Sequence, residues 1–298
     1  MADTDALTEG TPPAEAAAPA GPDLRTYAKY ALLVVLLLVG FHEYLSWMLD
    51  QWWRDEHYSH GFLIPIISGY LIYRQLPHLR KLPVEGQQWG LGVMIAGWLF
   101  HLGALFYGAH FPSGFAFIAT LFGLIIWLWG WPRARALAFP FAFLFFMVPM
   151  ARLLVDKLSL PMQLFSARGA SGLAGVFGMH TRLDGVAIGT RDYVFEVAIP
   201  CSGLKSVIAM SALGALVAYA LEGPLWKRWI LFAASLPIAV VANIVRIWVT
   251  LVLGNSLGPA AAEGFFHKAS GALVFLLAFV GLLLMGGLLG CRQMREDI

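Results

Sequence analysis

The chain has 298 residues, of which 59% are hydrophobic and 13% are charged, and its formal net charge is +2. Soluble domains carry about 25% charged and about 45–50% apolar residues, so this composition excludes an ordinary soluble domain and indicates a polytopic membrane protein. No tract rich in Lys or Arg marks a nucleic-acid partner, and two cysteines cannot build a disulfide framework or a four-ligand zinc site.

The N-terminal segment, residues 1–24, is rich in Ala, Pro and acidic residues. Such a composition buries too little apolar surface to fold, so a disordered cytoplasmic tail is predicted. A signal peptide is not expected there, because no basic stretch precedes an apolar run. The sequence shows no internal repeat, and residues 25–298 are predicted to form a single membrane domain.

Eight apolar runs of roughly the length that crosses a bilayer follow one another along the chain. The predicted fold class is an all-α polytopic membrane protein with about eight transmembrane helices. One long connection, about residues 152–200, is predicted to be an external insertion between the fifth and sixth spans. The runs lie near residues 28–49, 60–76, 89–108, 113–131, 135–151, 202–221, 229–253 and 267–290.

The basic residues of the short loops predict the orientation. An excess of Lys and Arg marks the cytoplasmic side of a membrane protein, and here it coincides with the side that holds both termini. The prediction is a multi-pass membrane protein with both termini in the cytoplasm. The basic residues on that side are Arg25, Lys29, Arg74, Arg80, Lys81, Arg133, Arg135, Lys227, Arg228, Arg292 and Arg295.

Cys201 lies at the predicted external end of the sixth span. Two β-prone runs around "GTRD" precede it and predict a small β-hairpin, which Pro200 ends. Cys201 then opens a helix, whose dipole favours the thiolate form. Lys205, four residues further on, lies on the same helical face and favours the thiolate further. These are conditions for a reactive thiol, whereas Cys291 at the opposite membrane face is predicted to be inert.

The last two spans bring further polar residues to the same depth. Arg246 is the only charge inside the seventh span, and a charge inside the membrane marks a functional site by default. Asn243 lies on the same helical face. His267 opens the eighth span, with Gly271 one turn deeper on its face. Cysteine, histidine and arginine together supply a nucleophile, proton transfer and a charge for an oxyanion.

Three segments, "PCSGLKS", "NIVRI" and "HKASG", resemble the signature motifs of the exosortase/archaeosortase family and occur in that family's order. The earlier segment "YSHGFLIPIISGYLIYR" resembles the family's sequence around its second helix. The resemblance covers about residues 30–290. It implies a cysteine transpeptidase of the bacterial inner membrane without a cofactor, with its active site on the external side, in which Cys201, Arg246 and His267 are catalytic. The implied partners are membrane-anchored proteins that carry a Pro-Glu-Pro-like motif, a transmembrane helix and a basic tail.

Several other residues are candidates for supporting or binding roles, each with a structural alternative. Ser59 and His60, at the outer end of the second span, either join the pocket or form an interfacial loop. Glu196 either positions the catalytic residues or is an exposed strand residue. Asn243 and Lys205 complete the supporting set. A metal site at His57, His60 and His110 is a weaker hypothesis, because no carboxylate or cysteine completes it.

Two other classes of function compete with the transpeptidase. A small-molecule or anion transporter would use Arg246 as an intramembrane binding residue, but such proteins typically contain two related halves and broken helices. A structural membrane protein offers no reason for three reactive residue types to share one depth. The sequence carries no signal for the acceptor nucleophile or for the oligomeric state.

Overall fold

The structure is a computed structural model that describes residues 24–190, 194–197, 203–258, 265–291 and 293–295, with the backbone alone at 26, 56, 265–270 and 272–274. The chain divides into two compact units: the first ends at Leu45, and the second begins at Ser46. The predicted disordered tail lies outside the described residues, apart from its last residue, Leu24, where the first helix begins. The first unit contains α1 (Leu24–Gly40) and the beginning of α2 (His42–Arg54).

The second unit consists mainly of helices and ends with a group of three long ones. The helices of the chain are α1 (Leu24–Gly40), α2 (His42–Arg54), a first 3₁₀ helix (Glu56–Phe62), α3 (Leu63–Lys81), α4 (Gln88–Phe106), α5 (His110–Trp129), α6 (Trp131–Ala136), α7 (Ala138–Phe143), a second 3₁₀ helix (Leu144–Met147), α8 (Arg152–Val176), α9 (Leu204–Ala220), α10 (Leu225–Leu257) and α11 (Phe265–Leu288).

A mostly helical membrane protein is confirmed, whereas the predicted number of membrane spans is not. In the described part of the chain, α4, α5 and α10 are long and apolar enough to cross a bilayer, and the count rises to five if two bent helix pairs are single spans. Eight spans are therefore not confirmed. One cause is that α9 has 17 residues, about 25 Å of helix, against a hydrocarbon core of about 30 Å.

The helix α8 occupies the first half of the segment that the sequence predicts to be an external loop. Its buried residues recur every three or four positions, so that small and polar side chains form one face. That face packs against α10, and at Gly169 an added Cβ would lie 2.7 Å from Ile244 Cδ1. The hydropathy of the sequence does not reveal α8, because the side chains on its buried face are small or polar rather than strongly apolar. The residues of that face include Ser159, Gln163, Ser166, Ala167, Ala170 and Ala174.

The predicted β-hairpin is present and belongs to a three-stranded antiparallel sheet with the order β1-β2-β3. Its strands are β1 (Arg182–Asp184), β2 (Ala187–Gly189) and β3 (Val194–Glu196). Ile188 of β2 pairs with Phe195 of β3, and both side chains are buried in a core that α8 and α10 share with the sheet. The sheet therefore packs onto the second half of α10.

Three helices, α9, α10 and α11, pack against one another and give the second unit two distinct ends. Met210, Ala239 and Ala278 form a buried layer between them. At one end, which we call the Arg228 end, α9 and α11 finish and α10 begins with Arg228 in its first turns. At the opposite end, the Arg246 end, α9 and α11 begin and α10 contributes Arg246.

Candidate active site

The Arg246 end brings the three motif segments of the sequence to one place. Gly203 follows Cys201 by two residues, and Gly271 follows His267 by one helical turn. Both glycines lie against the same face of α10, Gly203 at Asn243 and Gly271 at Arg246. Cys201 itself lies outside the described residues, and so does the side chain of His267, whose backbone belongs to the first turn of α11.

The start of α9 is fitted closely to α10 through Gly203. This residue precedes the helix with φ +88° and ψ −8°, in the left-handed region that favours glycine. It is buried, and a Cβ added to it would lie 2.8 Å from Asn243 Nδ2 and 3.0 Å from Asn243 Cγ. The "CSG" segment thus requires glycine at its third position for two reasons, backbone conformation and space.

The start of α11 approaches the guanidinium group of Arg246. A Cβ at Gly271 would lie 3.9 Å from both Cζ and Nη2 of Arg246, which is ordinary van der Waals contact. Arg246 is half-buried, and Thr250 Oγ1 donates a hydrogen bond to its backbone carbonyl at 2.9 Å. Since residues four apart share a helical face, the backbone of α11 carries His267 and Gly271 on one side of the helix.

Asn243 connects the candidate site to α8. Its side chain is 1% exposed, and its Nδ2 donates a hydrogen bond to the buried Ser166 Oγ at 3.1 Å. A buried amide is stable only when its polar atoms are satisfied, so this contact helps to fix the orientation of Asn243 against Gly203. Ser166 was not among the residues singled out from the sequence. Its segment carries little apolar periodicity, and the sequence predicts a loop there.

A second group of predicted site residues adjoins the start of α9. The first 3₁₀ helix packs against α9, and the charge of Lys205 acts on His60. Burial lowers the pKa of His60; the backbone of Phe146 and of His57 acts in the opposite direction, and Lys205 lowers the pKa further. His60 Nε2 is buried without a hydrogen-bond partner among the described residues. Ser59, its neighbour, is exposed.

Glu196 is placed differently from the residues above. In β3 the neighbours Phe195 and Val197 are buried against α8 and α10, whereas Glu196 is exposed. Successive side chains of a strand point to opposite faces, so Glu196 lies on the face of the sheet that turns away from that core. Of the two interpretations that the sequence leaves open, this geometry favours an exposed strand residue.

Two of the three histidines that were considered as metal ligands, His57 and His110, contact other side chains. His57 Nδ1 lies 2.8 Å from Asp55 Oδ1, and Asp55 also accepts a hydrogen bond from the His57 backbone at the start of the first 3₁₀ helix. His110 stacks on Trp47, with ring centres 5.1 Å apart. Within the described residues, no group of three His, Cys, Asp or Glu side chains could hold a metal ion.

The chain matches a known protein family. A family model for transmembrane exosortases matches residues 52–284, which is more than half of the chain. The matched range contains the 3₁₀ helix with His60 and all three motif segments. No curated protein and no solved structure matches the chain.

Proposed function

Because the chain belongs to the transmembrane exosortase family, we propose that it is a membrane cysteine transpeptidase that processes exported proteins. Its substrates are membrane-anchored proteins whose C-terminal sorting signal consists of a Pro-Glu-Pro-like motif, a transmembrane helix and a basic tail. The enzyme cleaves at this signal through a thioester on Cys201 and transfers the acyl group to an acceptor nucleophile. The catalytic residues are Cys201, Arg246 and His267.

One observation carries this proposal. A single face of α10 contacts the residue two positions after Cys201 and the residue one turn after His267. Chain segments that are distant in sequence therefore converge at Arg246, and they are the three segments that contain a thiol, a guanidinium and an imidazole. Nucleophilic catalysis requires such convergence, because the thiol, the proton carrier and the oxyanion partner must all reach one carbonyl group.

The first half of the proposed reaction is acylation. The thiolate of Cys201 attacks the carbonyl carbon of the scissile peptide bond, and the carbonyl electrons move to oxygen. The guanidinium of Arg246 stabilises the resulting oxyanion, and its effect is large where water is excluded. The C–N bond then breaks, the leaving nitrogen takes a proton from the imidazolium of His267, and a thioester remains.

The second half is acyl transfer. Neutral His267 accepts a proton from the acceptor nucleophile, which attacks the thioester carbonyl. The C–S bond breaks, and the thiolate of Cys201 leaves with the electron pair while Arg246 again stabilises the oxyanion. The imidazolium and the thiolate are restored, so that the enzyme returns to its starting state.

The supporting residues act on the positions of these groups. Asn243, hydrogen-bonded to Ser166, fixes the contact between α10 and Gly203. Lys205 supplies a positive charge, and His60 supplies an imidazole, beside the first turn of α9. In this proposal they border the substrate pocket, whereas Glu196 lies at its edge on the exposed face of β3.

The decisive test is to trap the thioester. The protein is incubated with a substrate bearing the sorting signal, and the acyl-enzyme is detected by intact-mass spectrometry and released by hydroxylamine. We expect a covalent adduct on Cys201 that Cys201→Ala abolishes. Cys291→Ala is the matched control, since Cys291 is free, 2% exposed and located at the Arg228 end. An adduct that survives Cys201→Ala contradicts the proposal.

We further propose that the Arg246 end faces outward from the inner membrane and that the Arg228 end faces the cytoplasm. Cys291 is too buried to report orientation, and Cys201 would itself react with the reagent, so the test uses introduced cysteines in a background that carries both Cys201→Ala and Cys291→Ala. Glu196→Cys samples the Arg246 end and Glu222→Cys the Arg228 end, and both positions are exposed. An impermeant thiol reagent applied to spheroplasts should label only Glu196→Cys. Labelling of Glu222→Cys alone would reverse the orientation.

A further inference from the structure

The strand β3 is an edge strand that leads towards Cys201. In the described part of the chain, β3 pairs with β2 on one side, and no strand pairs with its other side. Glu196, the last residue of β3, precedes Cys201 by five residues, which an extended chain spans in at most about 18 Å. A peptide that lies along the outer edge of β3 is therefore only a few residues away from the proposed nucleophile.

The hydrogen bonds between β2 and β3 show which backbone groups occupy this outer edge. The Val197 N–H donates to the Val186 carbonyl oxygen at 3.1 Å, in line with the register of the two strands. In an antiparallel pair, residues that bond the partner strand alternate with residues that do not. The N–H and C=O groups of Val194 and Glu196 therefore face away from β2. Both residues are exposed, and these groups make no hydrogen bond to other described residues.

Unpaired groups of this kind are suited to bind a further strand. An edge strand presents a row of N–H and C=O groups that pair readily with another chain, and many proteins bind an extended peptide in this way. The three-stranded sheet has two edges, and they differ in their relation to the candidate active site. At the opposite edge, β1 is separated by β2 and β3 from the segment that leads to Cys201. Of these two edges, only that of β3 continues directly to the nucleophile.

The sheet is held against α10 near Arg246. The side chain of Phe195 is buried in a core that includes Ile247, and Ile247 is the residue that follows Arg246. Phe195 lies between Val194 and Glu196, and neighbouring side chains of a strand point to opposite faces. Its burial therefore fixes the backbone on both sides of it, so that the outer edge of β3 has a defined position beside the candidate active site.

We propose, on the basis of the function proposed above, that the scissile segment of the substrate binds as an extended strand along the outer edge of β3. Its backbone pairs with the N–H and C=O groups of Val194 and Glu196. A Pro-Glu-Pro-like motif suits this edge, because proline has no N–H and alternate residues of a strand direct their backbone groups to opposite sides. Both prolines then face away from β3, and the glutamate between them pairs with it.

The first test is disulfide cross-linking of the full chain in detergent to synthetic peptides. Val194→Cys is combined with Cys201→Ala and Cys291→Ala, and each peptide of a series carries one cysteine at a successive position of the sorting motif. Residues directly opposite in two strands have Cα atoms about 5.5 Å apart or less, within the range of a disulfide. Because side chains alternate between faces, we expect cross-links at every second peptide position.

The control for cross-linking is Asp184→Cys in the same background, since Asp184 is exposed in β1 at the opposite edge of the sheet. It should give no cross-link. Absence of cross-links to Val194→Cys, cross-links of equal yield at all peptide positions, or equal yields with Asp184→Cys would overturn the proposal.

The second test changes the substrate, so that the fold of the enzyme is not affected. N-methylation of the glutamate between the prolines removes the N–H that faces β3, and we expect KM to rise about fivefold with kcat nearly unchanged. N-methylation three residues earlier, where the N–H faces away from β3, is the control. Equal KM values for the two methylated peptides contradict the proposal.

A matched pair of proline variants tests the same contact from the enzyme. Glu196→Pro removes an N–H from the outer edge of β3, and we expect it to raise KM about fivefold. Leu183→Pro is the control: Leu183 pairs with Ile188, whose backbone groups face Phe195, so the Leu183 N–H lies at the outer edge of β1. The control should leave KM unchanged, and equal KM values for the two variants at matched unfolding midpoints contradict strand pairing.

These measurements separate the inference from the proposed function. If the thioester forms on Cys201 but the two methylated peptides behave alike, strand pairing at β3 is wrong and the transpeptidase chemistry stands. If Val194→Cys cross-links at every second peptide position but the wild-type chain forms no thioester, the β3 edge binds the peptide and the proposed chemistry is wrong.

Discussion

The two ends of α10 hold an arginine in different ways. At one end, the Arg228 guanidinium donates hydrogen bonds to the carbonyl oxygens of Ala218 at 2.6 Å and Tyr219 at 3.2 Å. At the other end, Arg246 lies beside Gly271, where a Cβ added to the glycine would be 3.9 Å from the guanidinium carbon. The side chain of Arg228 thus caps the last turn of α9, whereas Arg246 lies where the motif segments converge.

The same residue type thus has different surroundings at the two ends of one helix. The last carbonyl groups of a helix have no intrahelical donor, and a cation there is favoured by the helix dipole, which explains Arg228 at the end of α9. No such need exists at Arg246, which lies well inside α10. A charge that is not required for capping is the better candidate for chemistry.

The strongest test of this difference is Arg246→Lys. A lysine keeps the charge but cannot reproduce the planar fork of a guanidinium, and loss of one oxyanion partner costs about 10²–10³ in rate. We expect turnover at least ~100-fold slower with a normal membrane level. Turnover of a tagged substrate in vesicles, at matched protein levels, measures this. Arg168→Lys, on the exposed face of α8, is the control. Near-normal turnover of Arg246→Lys would make Arg246 an anchor.

The next largest effect is expected at the start of α9. Gly203→Ala combines a left-handed backbone with a collision against Asn243, and we expect it to destabilise the protein by about 2–3 kcal/mol and to reduce turnover. Gly178→Ala is a matched control, because Gly178 at the end of α8 also has a positive φ, +77°, but open space around it. Its cost should be about 1 kcal/mol. Equal unfolding midpoints for the two variants would show that the contact with Asn243 does not matter.

The spacing between α11 and Arg246 offers a graded test. Gly271→Ala should have little effect, because its Cβ makes ordinary contact with the guanidinium, whereas Gly271→Leu should displace Arg246 and slow turnover about tenfold. Gly287→Leu, on the same helix with nothing within 4 Å, controls for the larger side chain. If Gly271→Leu turns over substrate like the control, the guanidinium position is not critical.

At the Arg228 end, substitution of the arginine is expected to reduce the stability of the protein. Arg228→Lys removes the two-pronged contact with the α9 carbonyls, and we expect it to lower the unfolding free energy by about 1 kcal/mol. Arg80→Lys, at an exposed position, should cost almost nothing. Thermal unfolding in detergent compares the two. A silent Arg228→Lys would remove the distinction between the two ends of α10.

The smallest effect concerns His60. Burial lowers its pKa in the folded protein, so the unfolded chain, with a histidine pKa of about 6.5, binds the proton first as the pH falls. Stability should therefore decrease as the pH drops below about 6.5 and level off once the folded pKa is passed. His60→Gln should reduce this slope, and His42→Gln, at an exposed position, should not. Unfolding midpoints across this range provide the measurement.

Sequence patterns predicted much of the candidate site because helical spacing is a local property. The i−3 relation assigned Asn243 to the face of Arg246, and the i+4 relation assigned Gly271 to the face of His267. The described contacts have Asn243 and Arg246 against the glycines of the neighbouring motifs. The contact of Asn243 with Ser166 was not predictable, because it depends on α8, whose small and polar buried face carries little hydropathy signal.

The sequence by itself determined the membrane class, the positions of most helices, the hairpin before Cys201 and the family, since composition, periodicity and motifs are written along the chain. Only the tertiary structure decided that the first half of residues 152–200 is helical, that the group formed by α9, α10 and α11 has two dissimilar ends, and that Arg228 caps α9. These features arise from contacts between residues far apart in the chain. Arg228 and Arg246 have the same side chain, and the neighbours that packing places around each one give them different surroundings.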